Sequence, residues 1–445
     1  MNAIRIKEVE VSFEDFRYRA PMKFRATVVD RVTLLNVKIR VEANGGMGGA
    51  TGFGSMTLGN VWSFPSNTLS TDQTLQAMKD LALRFASIAE AYGEEGDPID
   101  LNHGLEPLYC EAAPGIPLLC TLVVASAFDA AIHDAYGKTL GANCYRLYGQ
   151  EFARHDLGFY LDSHFAGEYL DKYVSSEPRE FLYVYHLVGA LDPLWDADLK
   201  VRIGDGWPET LQEWIQADGV DHIKIKLDGD NADWDVDRVI SIDRAVEKVK
   251  ANHAWRYSLD FNERCRGAEY VLDCFARLKE AAPAAFDRVQ YVEQPTNRDL
   301  NLPGTPSMHE VAKVKPVVID ESLVDYASLL RARELGYSGV ALKSCKGQSN
   351  ALLMAAAAQK FGMFTCMQDL TCPGASLLQS VSLAAHITPI TAVESNARQY
   401  LPAANRSWEE RFPGIFHVKE GKFQTAGLDG PGLGIVKLQK EFPVH

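Results

Sequence analysis

Residues 222–227 read HIKIKL, residues 257–261 YSLDF and residues 289–293 VQYVE, three short runs that each carry an ionisable side chain at or near the end. Helical patterning separates them, so the apolar period switches between the 2 of a strand and the 3.6 of a helix. The same rhythm extends outward. Upstream lies 181–186 (FLYVYH); downstream lie 317–320 (VVID), 339–343 (GVALK), 363–368 (MFTCMQ) and 390–394 (ITAVE). Eight strand-then-helix units predict an α/β fold, a (β/α)8 barrel.

The N-terminal part has another pattern. Residues 31–41 (RVTLLNVKIRV) alternate apolar and polar, which predicts an antiparallel sheet. A glycine cluster follows at 45–54 (GGMGGATGFG) with no Gly-Lys-Ser/Thr after it, so a flexible turn fits better than a phosphate loop. That turn is either a lid or a plain surface connection. Helical periodicity covers 71–93, with Ser70 or Thr71 as N-cap, and 121–137. Residues 154–199 are irregular and aromatic-rich, either as buried structural rings or as an insertion walling a pocket.

Composition excludes several classes. The 445 residues carry a net charge of −14, which disfavours nucleic acid and anionic membrane as partners. With 47% hydrophobic residues the chain can bury a sizeable core. Its eight cysteines show no C-x-x-C pair and no zinc spacing, which fits a reducing, cytoplasmic compartment. The first residues lack a signal-peptide pattern, and no apolar run approaches the roughly 20 residues that span a bilayer.

In a barrel of this kind chemistry gathers where the strands end. Those ends carry His186, Lys224, Lys226, Asp260, Asn262, Glu293, Asp320, Lys343, Gln368, Asp369 and Glu394. Asp260, Glu293 and Asp320 fall on three consecutive strands about 4.8 Å apart, so their carboxylates can converge on one cation. All-oxygen ligation with room for water and substrate suits Mg²⁺. Alternation turns Lys224 and Lys226 to one face, and Lys343 stands across the barrel from them. Near a divalent cation and other lysines such a lysine is expected to lose its charge and act as a base. The chemistry implied is abstraction of the proton beside a substrate carboxylate, with Mg²⁺ taking up the developing charge.

Together the motifs Lys224-Ile225-Lys226, Asp260-Phe261-Asn262, Glu293-Gln294-Pro295, Asp320-Glu321-Ser322 and Leu342-Lys343, one per strand, resemble the enolase superfamily and its muconate-lactonizing-enzyme-like group. The resemblance implies Mg²⁺ ligands at Asp260, Glu293 and Asp320, acid–base lysines at Lys226 and Lys343, and an auxiliary Lys224. It places Asn262 and Glu321 just behind the metal ligands, Glu321 being turned away by alternation. It also implies an α+β capping domain over 1–130 with loops that close on substrate, a barrel over 131–410, and a segment 411–445 returning to the capping domain. A homo-oligomer acting on a small carboxylate is expected.

The sequence departs from that group in three places. No acid follows the second glycine of Gly52-Phe53-Gly54-Ser55, and the early loop at 13–22 is highly charged. The approach to the first barrel strand is long and aromatic, and the third βα unit is extended around 264–286. Candidate substrate contacts are Phe16, Tyr18, Arg19, Phe53 and His186, with Asp369 and Glu394 at strand ends. Strand seven offers Gln368-Asp369 and no histidine, which argues against a His–Asp dyad. Racemisation or epimerisation, β-elimination and cycloisomerisation all remain open. Acid-sugar dehydration is the alternative chemistry, and a non-catalytic barrel binding metal or carboxylate is the alternative of another class.

Overall fold

The structure, a computed structural model, describes residues 3–24, 27–44 and 48–435. Residues 45–47 of the glycine cluster and 436–445 of the expected returning segment lie outside the described residues. Three strands, β1 (Ile4–Phe24), β2 (Thr27–Ala43) and β3 (Thr51–Thr57), form an antiparallel sheet in the order β1-β2-β3. Alternation sets its faces: Val37, Ile39 and Val41 are buried, while Lys38 and Arg40 point outward and pair with Glu10 and Glu8. Residues 13–22, expected as a loop, are strand. β3 pairs only with Leu34–Arg40 of β2, whereas β1 stays paired with β2 down to Phe24↔Thr27. The hairpin therefore projects past the sheet as a two-stranded arm, with a register shift between Arg17 and Met22.

The helix Thr71–Ala91 begins at Ser70, whose hydroxyl accepts from the Gln73 amide while the Gln73 side chain accepts from the Ser70 amide. It buries Met78, Leu81 and Phe85 against the sheet domain, Phe85 stacking on Tyr109 with ring centroids 4.1 Å apart. A second helix, Leu118–Thr139, runs without a break across residue 130. It is long and apolar enough to cross a membrane, yet 89% of that apolar stretch is buried inside the protein. β3 lies directly on it. A Cβ added at Gly52 would stand 2.0 Å from the Ala131 carbonyl oxygen, and one at Gly54 1.9 Å from that of Ala127. The glycines at 52 and 54 are thus closely packed strand residues, not a lid.

The expected barrel is present and closed. β4 (Phe181–Val188), β5 (His222–Lys226), β6 (Arg256–Asp260), β7 (Val289–Glu293), β8 (Val317–Ile319), β9 (Gly339–Leu342), β10 (Phe364–Met367) and β11 (Ala392–Glu394) pair in sequence order, and β11 closes on β4. β12 (Lys422–Gln424) adds antiparallel to the start of β4. Outward residues such as Ile223, Ile225, Leu259, Val292, Val340 and Val393 pack under the helices. Inward, Tyr185, Tyr291, Val318, Ala341, Cys366 and Ala392 form an apolar plug. The extended third unit consists of two helices, Ala268–Ala281 and Pro283–Arg288. All eight cysteines lie among the described residues and are unpaired.

Candidate active site

Two residues beyond the plug's members on β7 to β11, the same strand faces turn from apolar to charged or polar. Lys226, Asp260 and Glu293 stand side by side across β5, β6 and β7, in register. Glu293 pairs with Val318, which puts the next inward residue, Asp320, above it. Lys224 Nζ donates to Glu293 Oε1 and Glu394 Oε2, each at 2.8 Å, and lies 3.3 Å from Asp260 Oδ2. Lys226 Nζ donates to Asp260. Across the barrel, Lys343 Nζ donates to Asp320 Oδ2 at 2.8 Å.

Further residues, Lys346 and Trp62 not singled out by the sequence, complete this layer. Lys346, on the short turn Ser344–Lys346 after β9, donates to the Asp320 carbonyl and lies 3.2 Å from its Oδ1. Gln368 donates to Glu293. Gln294 adopts φ 31° and its amide oxygen accepts from the Asp320 amide at 2.9 Å and the Ser322 amide at 3.3 Å, which fixes the turn carrying Asp320. Asn262 contributes its backbone, donating to Asp260 Oδ1 at 2.9 Å. Trp62, brought from the sheet domain, donates from Nε1 to Glu321 at 3.0 Å, and its ring centroid lies 4.6 Å from the Lys343 ammonium. Lys346 had one local signal, a second lysine three residues after Lys343; Trp62 had none, since its partners are remote in sequence.

Burial raises the cost of every charge here, and neighbours decide the outcome. Burial, then Asp260 and Asp320, push Glu293 up to about 8 against the pull of Lys224. Asp260 and Asp320 are held below the usual carboxylate range because their lysines outweigh burial. Burial works to lower both Lys224 and Lys343, but the surrounding acids win and raise them. As these side chains stand, the acids hold the ammonium groups protonated, a balance that a divalent cation among the carboxylates would shift. Burial and Glu394 push Asp369 up to about 8, and its carboxylate accepts from the Thr371 and Cys372 amides at 3.2 Å.

A cavity of about 100 Å³ opens above this layer. Its floor includes Lys224, Lys226, Asp320, Lys343, Asp369 and Glu394; its roof is the arm, through Tyr18, Met22, Phe24 and Val32, together with Trp62. Glu321 lines it too, because Asp320 lies past the end of β8 and strand alternation no longer applies. Of the candidate substrate contacts, Tyr18, Asp369 and Glu394 reach this cavity. Phe16 and Phe53 do not: they line a groove between the sheet domain and barrel residues that include Gly374 and Trp408. Arg19 instead clamps the arm to the loop after β4, its Nε 2.6 Å from Asp205 Oδ2. His186 faces outward because β4 continues to Val188, leaving Leu187 as the inward residue. It is buried, accepts from the Gln399 side-chain amide at 3.2 Å, and is pushed down to about 3 by burial and Arg398.

Among the described residues no group of three or more His, Cys, Asp or Glu stands close enough to hold a metal as the side chains lie. Ammonium groups occupy the acids instead. The donor set nonetheless fits a hard cation: three carboxylates on neighbouring strands, two of which, Glu293 and Asp260, already share the single cation Lys224 Nζ.

Comparison with known proteins agrees with this fold. No curated protein matches the sequence closely enough to count as a relative. Among solved structures, muconate lactonizing enzyme from Pseudomonas fluorescens complexed with muconolactone is 19% identical with a TM-score of 0.62, covering 97% of this chain and 96% of its own. Dipeptide epimerase from Enterococcus faecalis, complexed with Mg and the dipeptide L-Leu-L-Tyr, is 17% identical with a TM-score of 0.65 over 97% and 99%. An enolase from Bradyrhizobium, complexed with magnesium and mandelic acid, is 15% identical with a TM-score of 0.63 over 98% and 96%. These likenesses share the fold. The model of the family described as Enolase C-terminal domain-like matches residues 207–440, more than half of the chain, and this protein belongs to that family, within the enolase superfamily.

Proposed function

We propose that the chain abstracts the proton α to the carboxylate of a small substrate and passes through an enolate, with Lys226 and Lys343 as the acid–base pair. The observation that carries this is the pair of ammonium groups on β5 and β9, strands on opposite sides of one barrel, both bordering one cavity and each bonded to a different carboxylate. Lysines have no folding reason to stand there, since an inward charge costs more than an apolar residue. Asp260, Glu293 and Asp320 would hold Mg²⁺, which when bound stabilises the enolate's charge and competes with the ammonium groups for the carboxylates.

The chain's own groups divide the remaining work. The substrate carboxylate enters between the two lysines, where Lys224 Nζ donates to it. One lysine Nζ removes the α-proton from one face, and the other delivers or removes a proton on the opposite face. Trp62 and the arm residues Tyr18, Phe24 and Val32 cover the cavity and keep water from the enolate. Racemisation or epimerisation, β-elimination and cycloisomerisation are all within reach of this arrangement.

The test is proton NMR in D₂O with Mg²⁺-loaded protein and pooled dipeptides, N-acyl amino acids, sugar acids and lactone precursors. Loss of an α-proton signal that EDTA blocks supports the proposal and names the substrate class. Absence of exchange from every pool argues for a barrel that binds without turnover.

A further inference from the structure

Asp320 differs from the other acids of the charged layer. Among the described residues it is the one carboxylate there with a lysine at each oxygen: Lys343 Nζ donates to Oδ2 at 2.8 Å, and Lys346 Nζ lies 3.2 Å from Oδ1. The two lysines arrive from different sides. Lys343 borders the cavity under the arm; Lys346 does not, and lines instead the space between the helices Pro98–Glu111, Leu118–Thr139 and Gln348–Lys360. Only Lys346 also reaches main chain, donating to the Asp320 carbonyl, which accepts from the Leu323 amide at 3.0 Å as well.

We propose that Lys346 is the positioning residue of Asp320: it holds that residue from the side away from the cavity, so that Lys343 can let go of the carboxylate and serve as acid or base. This rests on the reading of Asp320 as a Mg²⁺ ligand. Asp320 lies beyond Ile319, the last residue of β8 to pair with β9, so strand pairing does not fix it. Its turn is tied from the β7 side by Gln294, which accepts from the Asp320 amide at 2.9 Å, and from the β9 side by Lys346. A cation entering from the cavity competes with Lys343 for the carboxylate, whereas the bond from Lys346 to the main-chain carbonyl lies outside that competition.

Lys346 is itself fixed. It is 2% exposed, Asp320 is its one acid partner among the described residues, and folding alone does not ask for a buried cation. The turn Ser344–Lys346 runs into Gly347 at φ 107°, where an added Cβ would stand 2.8 Å from Asp129 Oδ2. Asp129 accepts from both the amide and the hydroxyl of Ser349 at 2.8 Å, so the helix Leu118–Thr139 pins the start of the helix Gln348–Lys360 and the turn before it. Lys343 has a different neighbour to keep once it leaves Asp320, the face of the Trp62 ring.

The experiment is Mg²⁺ titration calorimetry of the full chain and its variants, with circular dichroism as the check of fold. Removing a cation this close to a metal site would by charge alone tighten Mg²⁺ binding. Loss of a tie on the ligand does the opposite, so the sign of the change decides. Expected is Mg²⁺ binding about 10- to 100-fold weaker in Lys346→Met, and close to wild type in Lys346→Arg, which keeps the charge and the donors. If Lys346→Met does not fold, Lys346→Gln takes its place in the same comparison. Binding in the neutral variant as tight as wild type or tighter overturns this inference alone, as does a folded Lys346→Arg that binds no better than the neutral variant. Absence of Mg²⁺ binding in wild type overturns the metal reading and this inference together.

Discussion

Two layers of side chains inside the barrel are separated by only two residues along β7 to β11. The lower one, Tyr185, Tyr291, Val318, Ala341, Cys366 and Ala392, is apolar and closed. The upper one, Lys224, Asp260, Glu293, Asp320, Lys343, Gln368 and Glu394, is equally buried but charged or polar throughout. Backbone geometry and register are shared, so the contrast is a matter of side chain alone. The lower layer is what folding asks of a barrel interior; the upper layer works against stability and is kept for chemistry.

The largest expected effect breaks the upper layer. Lys343→Ala and Lys226→Ala are each expected to cut turnover by about 10³-fold, near the middle of the range for a lost general acid or base. Melting curves should remain cooperative, since Asp320 keeps Lys346 and Asp260 keeps Lys224 as partners. In the lower layer the outcome reverses. Tyr291→Ala is expected to cost about 3–5 kcal/mol in chemical denaturation while activity per folded molecule changes far less. Equal stability losses in the two layers would erase the distinction.

Magnesium sharpens the same contrast. With Mg²⁺ at about 100 times its dissociation constant, stability should rise by about 2.7 kcal/mol, and Asp320→Asn should lose that gain while Tyr291→Phe keeps it. Differential scanning calorimetry with and without EDTA reads this directly. The remaining effect lies outside both layers. His186 is neutral in the fold down to about pH 3 but takes a proton near its ordinary 6.5 when unfolded. Between those values the unfolded state binds the extra proton, so stability falls as pH drops below about 6.5, by up to about 1.4 kcal/mol per pH unit. His186→Gln should flatten that slope in urea melts from pH 7 to 4.

The contrast also explains what the sequence could reveal. Strand alternation and strand ends are local signals, so all eight barrel strands and the lysines and acids at their ends were legible. The arm was not: in a two-stranded projection both faces meet solvent or a cavity, so the charges of residues 13–22 look like a loop. Gly52 and Gly54 look like a mobile turn until the helix Leu118–Thr139 is seen lying on them. His186 was misplaced because β4 runs two residues past it, and a slip of one residue moves a side chain to the other face. Trp62 and Gln294 act on residues that only folding brings near, and the protonated lysines reflect acids whose grouping only the closed barrel creates.

The central claim is that the charged layer exists to move an α-proton. Its most direct test is deuterium incorporation in D₂O, followed by mass spectrometry on a carboxylate that the wild type turns over, with Mg²⁺ present. The account predicts exchange in the wild type, its loss on adding EDTA, and none in a folded Lys226→Ala/Lys343→Ala double variant. Exchange at the wild-type rate in that double variant would contradict it.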